Sequence, residues 1–224
     1  MDELTSALPK PMLPVAGRPL LEYKIDALPE EVDEIIIIVG YLGNVIRNHF
    51  SGMYGGKRIS YIEQEELNGT AGALWPAQSI LKDRFLVMMG DDIYAKEDIA
   101  GCISKTDAWV LLVQQLPEMR RAGSVQLDQD GRIADIIESS KEDEARAGPG
   151  MASTNLYVLD TRLFSCPLIP KHAGSLEYGL PQTVVAATKK LKIPFEPVFT
   201  DKWIQITDPK DLVAAAEMIK QESE

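Results

Sequence analysis

Two adjacent carboxylates are the clearest chemical feature of this sequence. Asp91 and Asp92 follow Gly90 at the end of an apolar run, Arg84–Met89, which indicates a strand. A carboxylate at the end of a buried strand can hold Mg²⁺, a hard cation that prefers oxygen ligands and bridges to phosphates. A solvated turn or a helix N-cap is the alternative interpretation of the same residues.

A candidate cation, Lys10, lies in a segment rich in proline. The segment Pro9–Leu20 contains four prolines, a glycine and two cations, and an amphipathic run follows it. Proline fixes φ and pushes the preceding residue to an extended conformation. We therefore predict a stiff, extended loop that places Lys10 at a defined point. A surface loop with a solvated lysine is the alternative.

A third segment, Gln64–Leu74, has the composition of a nucleotide-binding loop. Gly69, Thr70 and Ala71 are small residues that let backbone groups approach a flat base. Gln64 can present both a hydrogen-bond donor and an acceptor to that base. A glycine turn that leads into a helix is the alternative.

Length and charge restrict the class of protein. The chain has 224 residues, 45% of them hydrophobic, which is enough for one large or two small globular domains. Its formal net charge of −11 disfavours binding to nucleic acid or to an anionic membrane. An anionic substrate would have to be bound by local cations, since the global field repels it.

Cysteine and histidine usage predicts a cytoplasmic protein without a zinc site. Cys102 and Cys166 are far apart and form no CxxC, and His49 and His172 add no zinc-type constellation. The longest apolar run, Ile35–Val39, is too short to span a membrane, and the acidic N-terminus does not resemble a signal peptide.

Strands alternate with helices in the first half of the chain. The predicted strands there are Glu34–Val39, Arg58–Glu63, Arg84–Met89 and Ala108–Gln114, and the predicted helices are Gly43–Phe50, Thr70–Leu81 and Glu97–Ser104. This order predicts an α/β fold with a doubly wound, Rossmann-like, mostly parallel sheet, in which ligands bind at the carboxyl ends of the strands.

The second half has a mixed pattern. It predicts a hairpin at Asp130-Gly131, a mobile loop over Lys141–Gly150 and a helix over Leu176–Leu191. It also predicts three strands and a last helix that begins after Asp208; the strands are Thr154–Leu159, Phe195–Phe199 and Trp203–Ile206. We predict a single domain over residues 1–224, with a nucleotide-binding part to about residue 115 and a small mixed lobe from about residue 116.

The segment Leu4–Tyr23, LTSALPKPMLPVAGRPLLEY, resembles the signature of the sugar-1-phosphate nucleotidyltransferases, the NDP-sugar pyrophosphorylases. The resemblance covers nearly the whole chain. It implies that Lys10 faces the substrate phosphates and that Asp91, the first Asp of a strand-end GDD motif, is a Mg²⁺ ligand. It also implies that Gln64, Gly69, Thr70 and Ala71 bind the base.

Looser matches in the second half imply a sugar site. Gly123 is similar to a glycine whose backbone contacts the sugar, and Glu138 is similar to the glutamate of an EKP motif that accepts sugar hydroxyls. Gln205 replaces the second metal carboxylate of a W-x-D motif that begins at Trp203, and we infer from adjacency that Asp92 supplements the metal site in its place. Three further positions depart from the family pattern, namely Ser139, Ser153 and Asn155.

The family's first strand and its glycine-rich G-x-G-T-R loop have no counterpart in this sequence. Their absence predicts an unpaired edge on the strand Ile35–Val39. We therefore hypothesise that Met1 is an internal methionine of a longer reading frame, which an in-frame stop codon directly upstream would refute.

The resemblance implies an enzyme that transfers a nucleotidyl group from an NTP to a sugar-1-phosphate with Mg²⁺, giving an NDP-sugar and pyrophosphate. The alternative is a catalytically weak or inactive relative that acts as a sugar-nucleotide-binding regulatory module. Either way the partners are small molecules, without nucleic acid or membrane. The sequence is compatible with a homo-oligomer and leaves the base and the sugar open.

Overall fold

The computed structural model describes residues 7–119, 122–138 and 148–222. The strands are β1 (Pro14–Val15), β2 (Arg18–Pro19), β3 (Glu34–Val39), β4 (Met53–Tyr54), β5 (Lys57–Glu63), β6 (Arg84–Val87), β7 (Asp92–Ile93), β8 (Trp109–Leu116), β9 (Ser124–Leu127), β10 (Ile133–Ile137), β11 (Gly150–Asp160), β12 (Phe195–Thr200) and β13 (Ile204–Gln205). The helices are α1 (Leu20–Ala27), α2 (Gly43–Phe50), α3 (Gly69–Leu74), α4 (Lys96–Ser104), α5 (Leu180–Leu191) and α6 (Pro209–Glu222), and short 3₁₀ turns cover Lys10–Met12, Trp75–Ser79 and Thr161–Ser165. The predicted α/β class is confirmed.

The chain folds into two compact units, and neither is continuous in sequence. Unit 1 consists of Met1–Glu65, Met89–Ala100 and Lys202–Glu224, and unit 2 consists of Glu66–Met88 and Gly101–Asp201. The predicted division near residue 115 falls inside unit 2.

Unit 1 contains a three-stranded sheet in the order β3-β5-β4, in which β3 and β5 run parallel. Its other strands form two short antiparallel pairs, β1 with β2 and β7 with β13. In the described part of the chain β3 pairs with β5 alone, so one edge is unpaired, as the sequence predicts. Within β3 only Val39 is buried, because an edge strand is covered incompletely.

Unit 2 contains a sheet in the order β10-β9-β11-β8-β12, and β6 also pairs with β11. The pair β8–β12 is parallel, whereas β11 runs antiparallel to β6, β8 and β9. Strand β8 is the best covered, since every side chain from Trp109 to Val113 is buried. This apolar run therefore forms the middle of the core of unit 2.

Several predicted elements have different ends in the structure. Helix α3 ends at Leu74 and continues as a 3₁₀ turn, because Pro76 lacks the N–H that an α-helix would need at that point. Helix α5 begins at Leu180 rather than at Leu176, and β11 begins at Gly150 rather than at Thr154. The predicted mobile loop falls largely on residues 141–147, which lie outside the described residues, as does Ser139.

None of the helices in the described ranges combines the length and the apolar character that crossing a bilayer requires.

Candidate active site

Lys10 and Asp91 form an ion pair in unit 1. The Nζ atom of Lys10 lies 2.6 Å from Oδ2 of Asp91, and the two side chains are 29% and 34% exposed. Lys10 begins a 3₁₀ turn between Pro9 and Leu13, both of which are extended, so the predicted fully extended loop is wrong in its centre. That the prolines fix the place of Lys10 stays a prediction.

Gly90 lets the turn that contains Lys10 and Pro11 approach the backbone beside Asp91. A Cβ atom at Gly90 would lie 2.9 Å from Cγ of Pro11, which is closer than side-chain carbons normally approach. Because glycine has no Cβ, the ring of Pro11 packs directly against the backbone beside Asp91. Gly90-Asp91 and Lys10-Pro11 therefore pack closely against each other.

Asp92 is placed differently from its neighbour. It belongs to β7 and is only 2% exposed. Its Oδ2 atom accepts hydrogen bonds from the hydroxyl of Tyr94 and from Nε1 of Trp203, each at 3.2 Å. Gln205 is the residue opposite Asp92 across the β7–β13 pair, so the two side chains leave the same face of this ribbon.

Burial governs the protonation of Asp92. It raises the pKa of this carboxyl to about 7, and the nearby carboxylate of Asp91 acts in the same direction. The hydrogen bonds from Trp203 and Tyr94 favour the ionised form but do not outweigh the loss of water. Burial likewise raises the pKa of Tyr94 well above its usual value, so its hydroxyl remains a donor.

Lys24 is a buried charged residue near the candidate site that the sequence analysis did not single out. It lies on α1 with an exposure of 6%, and its Nζ atom, which has no hydrogen-bond partner in the described part of the chain, is 5.4 Å from the ring centre of Tyr94. Burial lowers the pKa of its ammonium to about 8 despite the attraction of Asp92 and Asp91. The available signal was a lysine on the apolar face of the run that starts at Leu20.

The donor atoms of this site are compatible with Mg²⁺. Asp91, Asp92 and Gln205 offer carboxylate and amide oxygens, and Asp91 is the more exposed of the two carboxylates. Within residues 7–119, 122–138 and 148–222 no three His, Cys, Asp or Glu side chains gather into a metal-binding cluster. An open site of this kind fits an ion that keeps waters and takes further oxygens from substrate phosphates.

The predicted base-binding residues are divided between the units. Gln64 belongs to unit 1, where its N–H donates to the carbonyl of Val39 at 2.8 Å and extends the β3–β5 ladder. Gly69, Thr70 and Ala71 belong to unit 2.

Backbone packing explains the residue types of Gly69 and Thr70. Gly69 has φ +93°, and a Cβ atom there would lie 2.4 Å from the carbonyl oxygen of Tyr178. The N–H of Tyr178 donates to the carbonyl of Asn68 at 2.7 Å, and the N–H of Ala71 donates to the carbonyl of Tyr178 at 3.0 Å. The Thr70 hydroxyl accepts the N–H of Leu180 at 2.9 Å and so caps α5. This segment is therefore fixed to a loop that sequence spacing did not reveal.

The predicted sugar-binding residues lie together in unit 2. Ile137 pairs with Ser124 at the open end of the β9–β10 hairpin. Gly123 directly precedes Ser124 and Glu138 directly follows Ile137, so both lie at this end. The Oε2 atom of Glu138 is buried without a hydrogen bond in the described residues, and Nζ of Lys171 lies 3.5 Å from it. Sequence analysis did not single out Lys171.

Two departures from the family pattern occupy an irregular part of β11. The register of β11 against β8 shifts between Ser153 and Tyr157, and Asn155 in this bulge has φ +58°. Asparagine tolerates this left-handed conformation better than most residues, so it can stand where glycine would otherwise be needed.

Comparison with known proteins identifies the family. A sequence profile described as "Nucleotidyl transferase" matches residues 1–222. The chain is 31% identical over 178 residues to the bifunctional protein GlmU of Methanococcus vannielii, an alignment that covers 78% of this chain and 42% of GlmU. It is 26% identical to the UTP–glucose-1-phosphate uridylyltransferase AglF of Haloferax volcanii, which covers 98% of this chain and 91% of AglF.

A solved structure shares the fold of this chain. The crystal structure of HddC from Yersinia pseudotuberculosis superimposes with a TM-score of 0.70 at 21% identity and covers 96% of this chain and 93% of HddC. The chain spans about two fifths of the length of the GlmU relatives that it matches. A profile match over almost every residue nevertheless shows that this chain belongs to the nucleotidyl transferase family, as a member of the sugar-1-phosphate nucleotidyltransferases.

Proposed function

We propose that this chain transfers a nucleotidyl group from an NTP to a sugar-1-phosphate and releases pyrophosphate. The observation that carries this proposal is the 2.6 Å ion pair of Lys10 and Asp91, which joins the family's phosphate-facing lysine to its metal-binding aspartate. The sugar phosphate oxygen attacks the α-phosphorus in line, and pyrophosphate leaves from the opposite side.

Lys10 stabilises negative charge in this reaction. Its ammonium carries three N–H donors, and the geometry assigns one to Asp91. The remaining donors are available to oxygens of the α-phosphate or the leaving pyrophosphate. The proline-rich turn holds this cation in advance, so little reorganisation is needed when charge develops.

We propose that Mg²⁺ is the cofactor and that Asp91 is its principal protein ligand. When bound, Mg²⁺ would neutralise phosphate charge and align the two reacting groups. Gln205 and Asp92 would assist, Gln205 through its amide oxygen and Asp92 through Oδ1, the oxygen that the Tyr94 and Trp203 hydrogen bonds leave available.

The residues proposed to bind the base and the sugar follow from the family resemblance. We propose that Gln64, Gly69, Thr70 and Ala71 contact the base of the NTP. Gly123 and Glu138 would contact the sugar, a role supported by the buried Oε2 atom of Glu138, which has no hydrogen-bond donor in the described residues.

The remaining proposals concern the whole chain. The profile match over residues 1–222 supports one catalytic domain that includes both units. Cys102 and Cys166 are buried thiols that form no disulfide, which supports a cytoplasmic location. A homo-oligomer is compatible with these proposals.

The test is Mg²⁺-dependent pyrophosphate release from a panel of NTPs and hexose 1-phosphates, with the NDP-sugar detected by mass spectrometry. Lys10→Met and Asp91→Asn should abolish turnover, whereas the exposed controls Lys189→Met and Asp107→Asn should match the wild-type chain. Absence of NDP-sugar with every substrate pair would refute the proposal. Full Mg²⁺-dependent activity in Asp92→Ala would exclude the metal role of Asp92 alone.

A binding module without turnover is the second candidate. The observation that favours it is the weak metal set, in which Gln205 is neutral and Asp92 is almost completely buried. It predicts that UDP-glucose or a related sugar nucleotide binds with micromolar affinity while no pyrophosphate is released at any Mg²⁺ concentration.

A further inference from the structure

A loop of unit 2, Ile169–Gly179, is connected to both predicted substrate seats. Two backbone bonds close it: Lys171 N–H donates to Glu177 at 2.8 Å, and Gly179 N–H donates to Ile169 at 3.0 Å. Pro170 and Tyr178 form an antiparallel bridge between these bonds. The loop therefore has the framework of a short hairpin, although it lies between regular elements.

The C-terminal arm of the 169–179 loop is fixed to the segment proposed to bind the base. Tyr178 exchanges backbone hydrogen bonds with Asn68 and Ala71, and a Cβ atom at Gly69 would collide with the same peptide. The N-terminal arm contains Lys171, which forms an ion pair with Glu138, the residue proposed to bind the sugar. The 169–179 loop thus connects Lys171, and through its ion pair Glu138, to the segment that contains Gly69.

The ion pair of Lys171 and Glu138 is incomplete. Their charged atoms are 3.5 Å apart, beyond good hydrogen-bond geometry, and Oε2 of Glu138 is buried without a donor in the described ranges. Lys171 is 44% exposed, so its ammonium can reach a ligand. A buried acceptor that lacks a donor beside an accessible cation matches a ligand that carries both a hydroxyl and an anion.

We propose that Lys171 binds the phosphate of the sugar-1-phosphate while Glu138 accepts a hydroxyl of the same sugar, an inference that rests on the proposed function. The phosphate and the ring hydroxyls of such a substrate are only a few bonds apart, so neighbouring ammonium and carboxylate groups bind both at once. The chain carries a net charge of −11, and a dianionic substrate needs a local cation on the sugar side. Lys171 is a specificity residue for the acceptor substrate.

The test compares Lys171→Met and Lys171→Arg with Lys189→Met, an exposed lysine on α5 that serves as the matched control. Loss of a charge-assisted hydrogen bond in Lys171→Met should raise KM for the sugar-1-phosphate by about 10- to 100-fold and leave KM for the NTP unchanged. Lys171→Arg should recover most of the lost affinity, because it keeps the charge. A structural role would not produce this separation between the two substrates.

A binding measurement separates this inference from the proposed function. Ligand-observed NMR with glucose 1-phosphate, and with glucose as its uncharged counterpart, reports on the site without turnover. Weaker binding of glucose 1-phosphate to Lys171→Met than to the wild type supports the inference even if no pyrophosphate is released. Equal binding to both proteins, or an equal increase of KM for both substrates, overturns it while leaving nucleotidyl transfer intact.

Discussion

Replacement of Gly69 by alanine gives the sharpest test of the fold around the proposed nucleotide segment. Gly69 has φ +93°, and a new Cβ atom would lie 2.4 Å from the oxygen and 2.7 Å from the nitrogen of Tyr178. Both contacts are to backbone, so no side chain can rotate away. The peptide of Tyr178 would have to move by about 1 Å to restore ordinary packing.

The cost of Gly69→Ala has three parts. An alanine at positive φ costs about 1 kcal/mol. Displacement of a packed backbone costs about 1 to 3 kcal/mol. The bonds of Tyr178 to Asn68 and Ala71 would lengthen, and each contributes about 1 kcal/mol. Since the last two terms overlap, we expect a loss of about 3 to 4 kcal/mol in the free energy of unfolding.

Gly131→Ala is the matched control. Gly131 also has positive φ, at +77°, but no atom lies within 4 Å of the position that a Cβ would take. It should lose only the conformational term of about 1 kcal/mol. Urea unfolding followed by circular dichroism measures both losses, and a thermal scan should show the larger loss as a fall of about 6 to 16 °C in Tm.

Equal destabilisation by the two alanine variants would refute the reasoning. It would mean that the backbone of Tyr178 does not lie against Gly69 and that the glycine serves only its own dihedral angles. In that case the attachment of the 169–179 loop to the nucleotide segment would also lose its support.

Three further predictions concern the site in unit 1. Lys10→Met should lower kcat at least about 100-fold; it should cost less than about 1 kcal/mol of unfolding free energy, because the Lys10–Asp91 pair is about one third exposed. Parallel kinetic and urea measurements check this, and a large stability loss would contradict it. The pKa of Asp92 is about 7 when folded and about 3.9 when unfolded, so the stability it contributes is full below pH 4 and lost as the pH rises through 7. The free energy of unfolding of Asp92→Asn relative to the wild type should therefore rise by about 2 to 4 kcal/mol between pH 4 and pH 8, measured with a chelator present, and a flat difference would disprove the burial argument. Gln205→Glu should tighten Mn²⁺ binding about tenfold in calorimetry, because it adds a charge opposite Asp92, whereas unchanged affinity would place position 205 outside the metal site.

Local pattern predicted much of the fold. Helix α2 has the predicted bounds, Gly43–Phe50, and β3 and β5 lie within a residue of their predicted places, because periodicity and the flanking glycines are local signals. The late start of α5 was not predictable in this way. Tyr178 forms backbone hydrogen bonds to Asn68 and Ala71, which are more than 100 positions away in the chain, and such tertiary bonds override helix preference.

The sequence pointed to some residues of the candidate site but not to the charged residues beside them. The sequence motifs singled out Lys10 and Asp91 separately, and the ion pair that joins the two side chains was not predicted. Lys24 was missed because a lysine in an amphipathic run is usually assigned to the solvated face. Lys171 was missed because its partner, Glu138, is distant in sequence and no local pattern connects them.

The tandem acids show why adjacency is a poor guide to a shared role. Successive side chains of an extended segment point to opposite faces, so two neighbouring aspartates usually have different surroundings. Asp91 precedes β7 and faces Lys10 with one third of its side chain exposed, whereas Asp92 lies within β7 and is enclosed by Tyr94 and Trp203. The first is suited to bind an ion that arrives with substrate, because water and phosphate can reach it. The second is held by two donors and by burial, which suits a residue that fixes the β7–β13 ribbon opposite Gln205 and offers only its Oδ1 atom to the proposed metal site.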